Sequence, residues 1–283
     1  MHVVWNDCVS LGDTLVSFPG TLGLAKKRQA EGKDVAIAWT NADVAELFPH
    51  RKYGFHRLTG KRPACVEKIS IHDMVHRRNG VPFGAKREHP TSQFLAWVGF
   101  PELSGEIHRP EIDDELPAHV DVPYADLLIA PYVLAEIPRF WALSNWQTVV
   151  DAVDAKVSIA CVGSARMPDL EGLKKINPHT QAHFAQNHAK MQPSLAHPNL
   201  KHYLDLPLRV VANMMRRAKL VVTVDSGPAR LAHAVGCHHL LLCNNDVARD
   251  WGAYPEAHTI FTNLATLSPH LVIAKVAELY PKG

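Results

Sequence analysis

The sequence predicts an α/β protein made of two parallel sheets, each covered by helices on both faces. Three observations carry this. Short apolar strands alternate with amphipathic helices, the alternation breaks over residues 102–123, and it resumes more regularly from Tyr124. The break is rich in proline and acidic residues and lacks apolar periodicity, which marks a linker. Residues 1–123 and 124–283 are therefore expected as two Rossmann-like domains facing a central cleft, and 283 residues suffice for both.

The first unit reads strand 2–5, helix 13–31, strand 34–39 and helix 42–47. Periodicity then fades, with a strand expected within 65–74 and a helix within 89–101 that stops at Gly99. The second unit reads strand 126–131, helix 144–154, strand 156–162, a turn GSARMP and a helix DLEGLKKI. A polar, histidine-rich loop follows, and then helix 207–218 with Pro207 in its first turn and Arg216 and Arg217 at its end. Strand KLVVTV, a helix opening near Gly227, strands HHLLLC and HTIFT, and a last helix SPHLVIAKVAELY complete the chain.

Composition narrows the function classes. A hydrophobic content of 47% with 20% charged residues excludes a chain dominated by disorder. No run approaches the roughly 18–20 apolar residues of a membrane span, and MHVVW reads as a first strand rather than a signal peptide. The five cysteines form no C-x-x-C pair, as expected of reduced packing residues in a cytoplasmic protein. In CHHLLLC, strand alternation scatters the side chains over two faces, so no metal is expected there. Net charge is only +2, yet residues 50–89 hold ten Lys/Arg against three acids, +7 in one segment. Arg77, Arg78, Lys86 and Arg87 within it are candidate contacts for an anionic partner; a solvated surface loop is the plainer alternative.

Two seams stand out. In VVTVDSGPARLAHAVG, residues 221–236, a β-branched strand ends at Asp225, and Ser226, Gly227 and Pro228 lead directly into a helix. The first turn of a helix has unpaired N–H groups and a partial positive charge, so it attracts anions, and Gly227 lets a ligand approach the backbone. A well-capped helix without ligand would read the same way. VSLGDTLVSFP, residues 9–19, repeats the arrangement with Ser10, Gly12 and Asp13 after the first strand. Ligands in parallel sheets sit at the C-terminal ends of strands, where both seams lie.

At these residues the sequence resembles the heptosyltransferases of lipopolysaccharide synthesis, which have the GT-B glycosyltransferase fold. SLGDTLVSFP resembles their opening S-x-G-D motif, and VVTVDSGPARLA their D-[ST]-G-x-x-H-L-A motif. LLIAPYVLAEIPRFWALSNWQTVV is similar to the segment that opens their second domain, with Arg139 just before Phe140 and Trp141. The resemblance covers the second half and the first forty-odd residues, and it implies a shortened, acceptor-binding first domain.

The resemblance implies an inverting, metal-independent transfer from a nucleotide-sugar donor, with no cofactor. Asp13 would be the general base, a role that competes with simple helix capping. Gly12, Arg139, Asp225, Ser226, Gly227 and Arg230 would surround the donor and its diphosphate. Two departures touch the donor: Arg230 stands where the family usually has His, and the turn GSARMP lacks the acid that often holds the nucleotide there. The acceptor is expected to be an anionic glycan or glycolipid, which would place the protein in the cytoplasm or on the inner membrane face. Nucleic acid carrying a hydroxymethylated base is the alternative acceptor, and a nucleotide-binding module without transferase activity is the alternative class. The sugar, the base and the oligomeric state are left open.

Overall fold

Two parallel sheets organise the computed structural model, which describes residues 1–8, 10–58, 67–69, 95, 108–132, 141–164, 195–244 and 257–280. The first sheet contains β1 (His2–Asn6), β2 (Val35–Trp39), β3 (His56–Leu58) and β4 (Glu67–Ile69), in the order β3-β2-β1-β4. Helix α1 (Leu11–Ala30) connects β1 to β2, and two single turns, α2 (Ala42–Ala45) and α3 (His50–Tyr53), lead to β3. The second sheet contains β5 (Leu127–Ala130), β6 (Ile159–Gly163), β7 (Leu200–Leu204), β8 (Leu220–Val224), β9 (His239–Cys243) and β10 (His258–Phe261). Its helices are α4 (Leu143–Asp151), α5 (Leu208–Arg217), α6 (Gly227–Val235) and α7 (Pro269–Leu279).

Strand order in the second sheet is β10-β9-β8-β5-β6-β7. The chain winds outward from β5 to β7, returns to place β8 beside β5, and winds the other way. The winding direction thus reverses between β5 and β8, the point in an open parallel sheet where ligands bind at the C-terminal ends of the strands. The central strands are buried on both faces, which is why VAIAW, LLIA, LVVTV and HLLLC read as continuous apolar runs rather than alternating ones.

The structure corrects the sequence reading at two strands. β3 lies in the basic segment and β7 in the expected histidine-rich loop. Among the described residues both are edge strands, paired with β2 and β6 respectively. An edge strand needs one ladder partner and little burial, so HRL and LKHYL carry almost no apolar signal. Pro207 is also one position earlier than expected, at the N-cap of α5.

One apolar cluster runs through both sheets. Leu15 and Phe18 of α1 belong to it together with Met214 of α5 and Leu231 and Val235 of α6. A fully buried Leu such as Leu15 contributes about 2 kcal/mol, so this shared core joins the two units well beyond a tether. A second cluster lies under the far face of the second sheet. There Trp141 and Trp146 meet edge-on at 5.1 Å, and Trp141 Nε1 donates to the Leu267 carbonyl at 3.1 Å.

Residues 108–123 hold no helix or strand, but they are strapped down rather than loose. Arg209 of α5 donates to the carbonyl oxygens of Glu46 and Glu115 and pairs with Asp113 at 2.8 Å. Arg216 pairs with Asp114 at 2.5 Å, and Asn213 donates to the Asp114 carbonyl. Two of the acids that marked this stretch as a linker, Asp113 and Asp114, bind it to α5.

Candidate functional site

The two seams meet. A Cβ placed on Gly12 would lie 3.6 Å from Arg230 Cγ and 3.7 Å from Gly227 Cα, so the first turns of α1 and α6 touch. Each turn starts at the C-terminal end of a strand, β1 in one sheet and β8 in the other. Both helices thus aim their positive ends at one place.

At the α1 end, Ser10 is the N-cap, and its hydroxyl accepts the Asp13 N–H at 3.0 Å. The cap is therefore supplied by the serine. Among the described residues the half-buried Asp13 carboxylate has no hydrogen-bond or ion-pair partner. At the α6 end, Ser226 is the N-cap but does not cap through its side chain; its hydroxyl turns back to the Val224 carbonyl at 3.1 Å. The Ala229 and Arg230 N–H groups both go to the Ser226 carbonyl, and Pro228 has no N–H. The N–H groups of Leu11, Gly12 and Gly227 consequently have no acceptor among the described residues. Three donors at facing helix ends are suited to a phosphate group.

Asp225 and Arg230 are buried together, with Arg230 Nη2 2.8 Å from Asp225 Oδ1. Arg230 was expected to lend its charge to a diphosphate; the structure gives it Asp225 as a counter-ion, which compensates that charge. Arg139, Arg77, Arg78, Lys86 and Arg87 lie outside the described residues. In the described part of the basic segment, Lys52 is paired with Glu111, Lys68 with Asp7 at 2.9 Å, and Arg57 donates to the Ala42 carbonyl. These three cations have internal partners.

The structure adds residues that the sequence reading missed. Tyr132, just past β5, lies across the end of β6: a Cβ on Gly163 would be 2.5 Å from its ring. Its hydroxyl sits against the Cys161 thiol, and burial pushes that thiol up to about 12, which leaves it unreactive. Asp205, at the end of β7, adopts a left-handed φ of 57° and accepts from the Ser164 hydroxyl at 2.6 Å. The turn GSARMP has no acid of its own, but the neighbouring strand brings one to it. The available sequence signal was an Asp placed directly after LKHYL and two residues before Pro207, a composition that marks a turn.

Two Rossmann-like domains meeting at the C-terminal ends of their strands form the GT-B architecture, and solved glycosyltransferases share it with this chain. TibC, an iron-containing dodecameric glycosyltransferase of enterotoxigenic E. coli H10407, superimposes with a TM-score of 0.63 at 15% identity, over 92% of this chain and 64% of that one. The chain thus spans less than two thirds of TibC. E. coli ADP-heptose LPS heptosyltransferase II gives 0.63 at 12% identity over 99% of this chain and 98% of that one. E. coli heptosyltransferase WaaC with ADP gives 0.54 at 15% identity over 99% and 100%. No protein-family model and no curated protein matches the sequence. Among the described residues, no group of three or more His, Cys, Asp or Glu could hold a metal ion, and no helix is long and apolar enough to cross a membrane.

Proposed function

We propose that this protein is a glycosyltransferase that moves a sugar from a nucleotide-sugar donor, with inversion and without a metal ion, to an anionic glycan or glycolipid. The observation that carries this reading is the meeting of the α1 and α6 first turns, which sets three N–H donors beside the uncommitted carboxylate of Asp13. Structural neighbours support the donor class: TibC has been solved with ADP-D-β-D-heptose and WaaC with ADP.

In this reading the donor diphosphate lies at the junction of the two helix ends, where Leu11, Gly12 and Gly227 supply N–H groups. Because Asp225 compensates Arg230, the helix ends and Arg139 carry most of the diphosphate charge, and Arg230 with Asp225 shapes the turn. Ser226 is near enough to the same turn to donate to a phosphate oxygen once its hydroxyl rotates. Asp205, beside Ser164, takes the place of the missing nucleotide-holding acid. The acceptor hydroxyl attacks the anomeric carbon as the carbon–oxygen bond to the diphosphate breaks. Its proton passes to Asp13, and the diphosphate leaves with the bonding electrons, so the anomeric configuration inverts. Arg77, Arg78, Lys86 and Arg87 are assigned to the acceptor.

The test is thermal unfolding with ADP, UDP and GDP and their sugar conjugates. A ligand of the native state at a hundred times its Kd adds about 2.7 kcal/mol of stability. A rise in melting temperature with one nucleotide and its conjugates is expected, followed by release of the nucleoside diphosphate on incubation. If no nucleotide raises the midpoint, the reading fails; binding without turnover on any acceptor would favour a non-catalytic nucleotide-binding module.

A further inference from the structure

Asn6 ends β1 and is fully buried, beside the buried hydroxyls of Ser17 and Thr21. A buried amide is costly unless its groups are bonded, and this one is well used. Its Oδ1 accepts the Cys8 N–H at 3.1 Å, and its Nδ2 donates to Ser17 Oγ at 2.7 Å and Thr21 Oγ1 at 2.9 Å, both on α1. Those two hydroxyls do not depend on Asn6. Ser17 already donates to the Thr14 carbonyl and Thr21 to the Ser17 carbonyl. An apolar residue at position 6 would leave both donating as they do now. The donor that uses Asn6 is therefore the Cys8 N–H, whose bond Asn6 accepts through Oδ1.

That bond holds the start of the turn into α1. The single Thr14 hydroxyl proton is shared between the Ser10 carbonyl at 2.6 Å and, more weakly, the Cys8 carbonyl at 3.2 Å. Cys8 is thus held through its N–H by Asn6 and through its carbonyl by Thr14, and Ser10, two residues on, caps the Asp13 N–H. A continuous path of hydrogen bonds runs from α1 through Asn6 to the turn that carries Asp13. We infer that Asn6 is a positioning residue for Asp13, fixing the turn before α1 so that the carboxylate is held at the junction with no bonding partner among the described residues. This rests on the reading of Asp13 as the base.

The test has two arms, made on the full chain. In Asn6→Ala, native-state hydrogen exchange at the Cys8 and Asp13 amides should rise at least tenfold, while the Leu24 amide deeper in α1 keeps its protection. Thr21→Val, which removes a single bond to Asn6 at nearly constant volume, should change the same amides in the same direction by less, and it stands in should Asn6→Ala not fold. With ADP-D-β-D-heptose as donor and water as acceptor, Asn6→Ala should lower kcat ten- to a hundredfold with donor KM within twofold. In an Asp13→Asn background it should lower kcat no further. Unchanged exchange at Cys8 and Asp13, a uniform rise along α1, or an equal loss of kcat in both backgrounds would overturn the inference. If Asp13→Asn turns over like wild type, the base assignment falls and Asn6 with it. If Asp13→Asn is inactive while Asn6→Ala keeps its kcat, only the role of Asn6 is lost.

Discussion

Leu11 rests directly on Gly227: a Cβ built on that glycine would be 2.9 Å from Leu11 Cβ and 3.0 Å from Leu11 Cγ. The residue that opens the helix of one domain leaves room for nothing larger than hydrogen on the residue that opens the helix of the other. Two glycine-bearing turns, more than two hundred residues apart in sequence, are in this way closed into one site.

Gly227→Ala should therefore separate the turns. The expected result is a loss of about 1–3 kcal/mol from overpacking, with weakened nucleotide binding in the same thermal-shift assay. Gly12→Ala meets only ordinary contacts at 3.6 Å and beyond, and should keep wild-type stability. Equal behaviour of the two variants would show that the contact at Gly227 yields without cost.

Asp13→Ala should lower turnover by two or more orders of magnitude while nucleotide affinity changes little. Ser10 caps the helix in either case, so stability should hold. Turnover at the wild-type rate would leave Asp13 without a catalytic role.

Activity should survive EDTA, since in the proposed donor arrangement two helix ends, helped by Arg139, take over the neutralising role of a divalent ion. A strict requirement for Mg²⁺ or Mn²⁺, restored on re-addition, would count against this donor arrangement.

Charge reversal at Arg77, Arg78, Lys86 and Arg87 should weaken acceptor binding and leave nucleotide-sugar binding near normal. A glycolipid acceptor should show a modest salt effect and no competition from duplex DNA. A DNA acceptor would instead give a log–log salt slope of about −0.9 per phosphate neutralised, shallower in the variant. If the variant binds every acceptor like wild type, the basic run is solvated surface.

Acid should destabilise the first domain through His50. The ring is buried, Trp39 Nε1 donates to its Nε2 at 3.0 Å, and burial with the nearby Arg57 charge lowers its pKa to about 4. Because the folded value is below the unfolded value of about 6.5, the unfolded chain binds more protons between these limits. Stability should thus be full above about pH 6.5 and fall as pH drops toward 4, by about 3 kcal/mol. His50→Gln should flatten that part of the stability curve, measured by urea unfolding from pH 7 to pH 4.

The two seams, their positions after β1 and β8 and the order of the described strands and helices apart from α3, β3 and β7 could be read from the sequence. Each is a local property: a buried parallel strand must be apolar throughout, and a helix start must find caps within a few residues. The helices expected within 89–101 and over DLEGLKKI fall, but for Leu95, outside the described residues. β3 and β7 escaped that reading because edge strands are only half enclosed. Asn6 escaped it because a single amide among valines carries no periodic signal. What only the tertiary structure decided concerns groups brought together across sequence distance. It set Leu11 on Gly227, brought Asp205 to Ser164 and bound Asp113 and Asp114 to α5; it also turned Arg230 inward onto Asp225, five residues away. Whether a charge is uncommitted or already compensated depends on which partner packs beside it, and sequence spacing does not specify that for residues that meet only after folding.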